Sequence, residues 1–169
     1  MLQIDHEDGK RTMLAESNAA CWYMAEVAST KSSSSSLKLI PDDSLQKAEM
    51  LKWMFFEQNK HETSVATLRF WLSHIGRDKL GADRLALVEG KRKQAEEALS
   101  NMNEHLDVSA KDGSGWFVAE HSGPTLADVV LYAYTHVAHE GELDISRWPA
   151  IQKWLRRVEG VHGYVAMRG

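Results

Sequence analysis

The sequence predicts a mainly α-helical protein: a β-hairpin and one helix, a serine-rich linker, then a helical bundle around a buried central helix. Three observations carry that prediction. Apolar residues recur three or four apart from Leu45 to Leu106, the spacing of one face of an α-helix. Nearly every residue from Leu126 to Tyr134 is apolar or aromatic, and a helix apolar on all sides belongs inside a protein. Five consecutive serines, Ser32 to Ser36, bury nothing and separate the two parts.

The elements follow in order. Leu2 and Ile4 alternate with polar residues, Asp8-Gly9 supplies a turn, and Thr12 to Ala15 returns, which is the pattern of a hairpin. A helix is expected from about Asn18 to Ala28, given bulk by Trp22, Tyr23 and Met24. Residues 29–42 form the linker, closed by Pro41. Asp43 or Ser44 then caps a helix carrying Leu45, Ala48, Leu51 and Met54. Its pattern continues through Val65, Leu68 and Trp71, so the helix is long or kinked and ends near Gly76. A second runs from about Asp83 to Leu106, with an apolar stripe of Leu85, Val88, Ala95, Ala98, Leu99, Met102 and Leu106. Thr125 and Asp128 form a capping box for the buried helix, which Gly141 ends. Pro149 opens a last helix that buries Ile151, Trp154, Leu155 and Val158.

Composition narrows the function. The 169 residues suit one compact domain with an appended fragment. The net charge of −4 and a single basic cluster, residues 91–93, flanked by Glu89, Glu96 and Glu97, argue against a nucleic-acid partner. No apolar run reaches the roughly 20 residues of a membrane span. Cys21 is the only cysteine, which excludes an internal disulfide and fits a reducing cytoplasm.

Chemistry-bearing residues are few. Glu16-Ser17 sits where strand gives way to helix. Serine there either starts the helix or helps the free N–H groups of the first turn hold a carboxylate, and capping is the commoner reason. His136 and His139 share a helical face but no third ligand is fixed, so no metal site is expected. His61-Glu62 reads as a base or polar wall of an apolar cleft, or more simply as a surface pair. Residues 112–116, DGSGW, lack the preceding apolar strand of a nucleophile elbow and read as a loop. Cys21 reads as buried and inert.

The order of segments resembles the cytosolic glutathione S-transferases in their bacterial theta- or beta-like forms. The matching stretches are 8-DG-9, 16-ESNAACWYMAE-26, 53-WMFFEQ-58, 125-TLADVVLYAYTHVAHEG-141 and 147-RWPAIQKWLRRVEG-160. Each is moderately specific, and their order along the chain is strong. The resemblance implies a fold in three parts. Residues 1–28 are a remnant of the thioredoxin-like glutathione-binding domain, 29–42 the linker, and 43–169 the helical C-terminal domain. It implies that Ser17 takes the γ-glutamyl carboxylate of glutathione and that Glu16 positions the amino end. It places Phe56, Asn59 and Glu62 near the electrophile pocket.

The resemblance also implies the reaction, attack of the glutathione thiol on an apolar electrophile, with glutathione as co-substrate and no metal. The family habit implies a cytoplasmic homodimer. Its members carry a strand, helix and strand, with the thiol-activating residue, ahead of the strand that Met1 to Ile4 resemble. The resemblance therefore assigns this chain no catalytic residue, and a docking module or an inactive remnant is the alternative. A two-stranded hairpin alone is marginally stable. It is expected to be loosely held, to pack on the bundle, or to pair with another subunit in a strand-exchanged oligomer.

Overall fold

The computed structural model describes residues 1–31 and 37–166. Strands β1 (Leu2–Asp5) and β2 (Arg11–Leu14) form an antiparallel pair in which Leu2 faces Leu14 and Asp5 faces Arg11. The turn is one residue longer than a two-residue hairpin loop. Gly9 N–H donates to the His6 carbonyl and His6 N–H to the Lys10 carbonyl, both at 2.9 Å. Gly9 takes the left-handed conformation at φ 80°, as the last residue of a three-residue loop often does. Leu2, Ile4 and Leu14 are only half-buried, and no hairpin residue belongs to the hydrophobic core.

Helix α1 spans Ser17–Lys31, three residues beyond the expected end. The Ser29 and Thr30 hydroxyls reach back to the Glu26 and Val27 carbonyls, which lets residues read as linker stay helical. The serine run itself, residues 32–36, lies outside the described residues. The linker's other end is docked: Leu39 and Ile40 pack on the core, and the Leu39 carbonyl accepts from Leu126 N–H at 2.9 Å.

Asp43 caps helix α2 (Ser44–Phe56), its carboxylate accepting from the N–H groups of Leu45 and Gln46. The chain then continues without a break. Residues Glu57–Ala66 (π1) are π-helical, α3 (Thr67–Arg69) is a single α-turn, and Phe70–Gly76 (π2) is π-helical again. Gly76 ends the run at φ 92°. Polar side chains bond back to the helix backbone: the Ser64 hydroxyl bonds the Lys60 carbonyl at 2.6 Å and Thr63 bonds that of Asn59. π-Helical segments are rare and concentrate at functional sites.

Helix α4 (Ala82–Lys111) extends past the expected Leu106 and buries Val88, Ala95, Ala98, Leu99, Met102 and Leu106. Leu85, placed on that stripe from sequence, is exposed because it precedes the packed part of the helix. Helix α5 (Leu126–Thr135) is the buried centre. It stops six residues before Gly141, and a 3-10 turn, Ala138–Gly141, completes the segment. Helix α6 (Pro149–Glu159) buries Ile151 and Trp154, with Leu155 and Val158 half-buried against the core.

One carboxylate ties these elements together. Asp128 is fully buried and accepts from Thr125 N–H (2.8 Å), the Thr125 hydroxyl (3.1 Å), Phe117 N–H (3.3 Å) and Trp154 Nε1 (2.9 Å). The expected capping box is thus also the joint between α5, α6 and the loop before α5.

Candidate functional site

The junction of β2 and α1 is exposed. Glu16 takes the left-handed conformation at φ 65°, uncommon for a residue with a Cβ. Its carbonyl accepts the first helical bond, from Ala20 N–H at 3.0 Å. Glu16 therefore occupies the cap position through its backbone, and Ser17 is the first helical residue. Ser17 does not cap the helix, and among the described residues its hydroxyl has no protein partner. The first turn of a 15-residue helix points into solvent with a free hydroxyl beside it.

A group of carboxylates lies alongside. Asn18 Nδ2 donates to Glu57 Oε2 at 2.9 Å, bridging α1 to π1. Glu57 is only 2% exposed. Gln58 Nε2 donates to Glu57 Oε2 at 2.9 Å and to Glu62 Oε2 at 2.7 Å. Among the described residues these acids meet amides rather than cations, and the cation nearby, Arg69, is taken by Glu140 at 2.7 Å. Burial, then the charges of Glu57 and Glu16, raise the Glu62 carboxyl above the ordinary range against the Gln58 hydrogen bond. Burial and Glu57 likewise raise the Cys21 thiol. Burial, Glu62 and Glu57 raise the Tyr134 phenol, which keeps it a hydrogen-bond donor. These shared influences join Glu16, Cys21, Glu57, Glu62 and Tyr134 into one electrostatic neighbourhood.

Next to it opens a cavity of about 330 Å³, walled by Glu62, Arg69, Phe70, Trp71, His74 and Tyr134. Phe70 is more than half exposed there, so an aromatic surface is available. Of the three pocket candidates from sequence, only Glu62 lines this cavity. Phe56 packs edge-on against Trp53 at 5.1 Å, on the core side. Asn59 donates to the Phe55 carbonyl and lines a separate polar groove with Lys60 and Lys91. Asn59 and Glu62 are three apart, yet they border different cavities. Glu16 and Ser17 do not line the cavity either. Glu16 acts on the cavity's Glu62 through its charge.

Other candidates resolve differently. His61 and Glu62 are not a surface pair: His61 is fully buried, with Nε2 2.9 Å from Thr135 Oγ1. His136 stacks on Tyr132 and bonds its carbonyl. The loop at residues 112–116 is held by Arg157, which donates to the Gly115 carbonyl at 2.6 Å. Cys21 is half-buried. Sequence reasoning missed Asn18, Glu57, Gln58 and Tyr134 as site residues. All four lay inside the matching stretches, and Tyr134 sat in a segment read as buried.

A helical bundle with a hairpin and helix at its front, a polar junction and an adjoining aromatic cavity define the class. Solved structures place it further. A glutathione S-transferase from Pseudomonas fluorescens Pf-5 is 32% identical, with a TM-score of 0.75 over 97% of this chain and 71% of that one. One from Xanthobacter autotrophicus Py2 is also 32% identical, with a TM-score of 0.75 over 96% of this chain and 69% of that one. A possible glutathione S-transferase from Rhodopseudomonas palustris is 34% identical, with a TM-score of 0.73 over 97% and 65%. The chain belongs to the glutathione S-transferase family. No family model and no curated protein matches its sequence. Among the described residues no helix is long and apolar enough to cross a membrane.

Proposed function

We propose that this chain binds glutathione by its γ-glutamyl end at the front of α1, in a cytoplasmic setting that suits its single cysteine. The carboxylate lies against the first-turn N–H groups and the Ser17 hydroxyl, where the helix dipole favours an anion. The ammonium faces Glu16, with Glu57 and Glu62 behind it. The observation that supports this most is the pairing of opposite needs in one place. Among the described residues, an unpartnered hydroxyl at a helix N-terminus adjoins carboxylates that meet no cation. A free α-amino acid group meets both.

The cavity beside Glu62 then takes the apolar electrophile, stacked on Phe70 and Tyr134. In the family's reaction the glutathione thiol attacks such an electrophile. The acids at this junction oppose thiolate formation, since negative charge raises a thiol pKa, as Glu57 does to Cys21. The same observation favours the second reading, a binding module that holds glutathione without activating it.

Calorimetric titration with glutathione tests the reading. Binding should weaken about 10- to 100-fold in Ser17→Ala, the loss expected for one hydrogen bond to a charged group. Absence of any heat in the wild-type chain at millimolar glutathione would remove the proposal. Conjugation by the isolated chain would remove the second reading.

A further inference from the structure

We propose that the cavity beside Glu62 selects organic ammonium ions, so that the second substrate it takes carries an alkylated, positively charged nitrogen on its apolar body. This rests on the reading above for the cavity's role and adds the charge of what fills it. The walls supply the two things such an ion needs, aromatic rings and a carboxylate. Phe70 and Trp71 open π2, Tyr134 comes from the end of α5, and Glu62 comes from π1. With Arg69 and His74 they enclose about 330 Å³, within the range of small-molecule pockets. Ring faces attract a cation through their quadrupole, and rings grouped around one spot hold alkylated ammonium groups.

The place for a cation is open. Among the described residues no lysine or arginine stands over these three rings; the cation–ring pairs are Lys52 with Trp53, Arg147 with Trp148 and Arg157 with Trp116. Phe70 is 54% exposed, and its aromatic neighbour is the His74 ring at 6.0 Å. The carboxylate is open as well. Glu62 accepts from the Gln58 amide, and among the described residues it has no salt-bridge partner. Arg69 alone would favour an anion, but its guanidinium is held by Glu140 at 2.7 Å, with side chains only 22% and 23% exposed. The balance is visible at Tyr134. Burial raises its phenol first, Glu62 and Glu57 raise it further, and Arg69 opposes them as the weakest influence. Negative charge therefore prevails at the cavity wall. A bound ammonium relieves the repulsion between these acids, which a neutral ligand of the same shape leaves in place.

The test compares choline with 3,3-dimethyl-1-butanol, which has the same shape with carbon in place of the charged nitrogen. Both are titrated into this chain without glutathione and followed by proton NMR. Choline should bind about 10-fold more tightly than the alcohol, with its methyl signal moved upfield by the rings. Glu62→Gln should bring the two affinities together. Phe70→Leu changes an exposed residue and keeps its apolar bulk; it should weaken choline severalfold and spare the alcohol. No binding of choline, equal binding of the two probes, or a preference that survives Glu62→Gln would each overturn the proposal. So would choline binding that ignores Phe70→Leu, which would place the ion at the α1 junction instead. The glutathione titration is read separately: loss of glutathione binding alone removes the earlier reading, and loss of the choline preference alone removes this one.

Discussion

His61 should make this protein lose stability as the pH falls, and the structure gives the size of the effect. The imidazole is fully buried between π1 and α5. The Thr135 hydroxyl spends its proton on the Leu131 carbonyl at 2.7 Å, so it accepts from His61 Nε2–H. That leaves Nδ1 as a buried lone pair with no partner. Burial opposes the charged ring and pushes its pKa down to about 3. In the unfolded chain the ring titrates near 6.5. Between these two values the unfolded state holds one more proton than the folded state, so folding weakens as pH falls through that window. At about 1.36 kcal/mol per pH unit, the loss is about 2 kcal/mol between pH 6.5 and 5 and approaches 5 by pH 3. Against a total of roughly 5–15 kcal/mol, this is a large share. Urea unfolding followed by tryptophan fluorescence at pH 7, 6 and 5 measures it. His61→Phe keeps the ring's bulk and leaves Thr135 bonded to Leu131, so the variant should lack this component. The difference between wild type and variant should change by about 2 kcal/mol from pH 7 to pH 5. Parallel curves for the two proteins would refute the reasoning.

Two further perturbations test the core and the site. Asp128→Ala strands the buried N–H groups of Thr125, Phe117 and Trp154. At roughly 1–3 kcal/mol for each unsatisfied group, less the relief of a buried carboxylate, it should cost about 3–5 kcal/mol and lower the thermal midpoint by roughly 6–20 °C. A loss below about 1 kcal/mol would show that the network is dispensable. Glu62→Gln keeps an acceptor for Gln58 and removes repulsion with Glu57 and Glu16. Because the folded carboxyl titrates above its unfolded value, its ionisation costs stability as pH rises through the carboxylate range. The variant should therefore melt higher than wild type at pH 7, and the gain should vanish as pH falls below that range.

The bundle was legible in the sequence because its signals are local. Asp43, the Thr125–Asp128 box, Pro149 and the apolar stripe of α4 each act within a turn or two, and each does what its position implies. The π-helical stretches were not legible. Nothing in residues 57–76 breaks an α-helical pattern. The resemblance grouped Asn59 with Glu62, whereas Asn59 borders the groove with Lys91 and Glu62 the cavity. The described residues on either side of the serine run are ordered: α1 runs to Lys31 and Leu39 is hydrogen-bonded to Leu126.

The amides at the junction explain how the acids coexist there. Glu57 is taken out of water, and burying a carboxylate without partners is costly. Asn18 from α1 and Gln58 from π1 each donate to its Oε2, and Gln58 also donates to Glu62. Neutral amides stabilise the ionised forms without cancelling their charge. The field at the mouth of α1 therefore stays negative on one side, while the helix N-terminus is positive on the other. Replacing Asn18 or Gln58 by lysine would supply a counter-charge from within the chain. That should stabilise the fold and at the same time weaken capture of a ligand ammonium. This makes the junction a place where stability and binding pull in opposite directions, as they do where a site is kept ready for a charge that only its ligand brings.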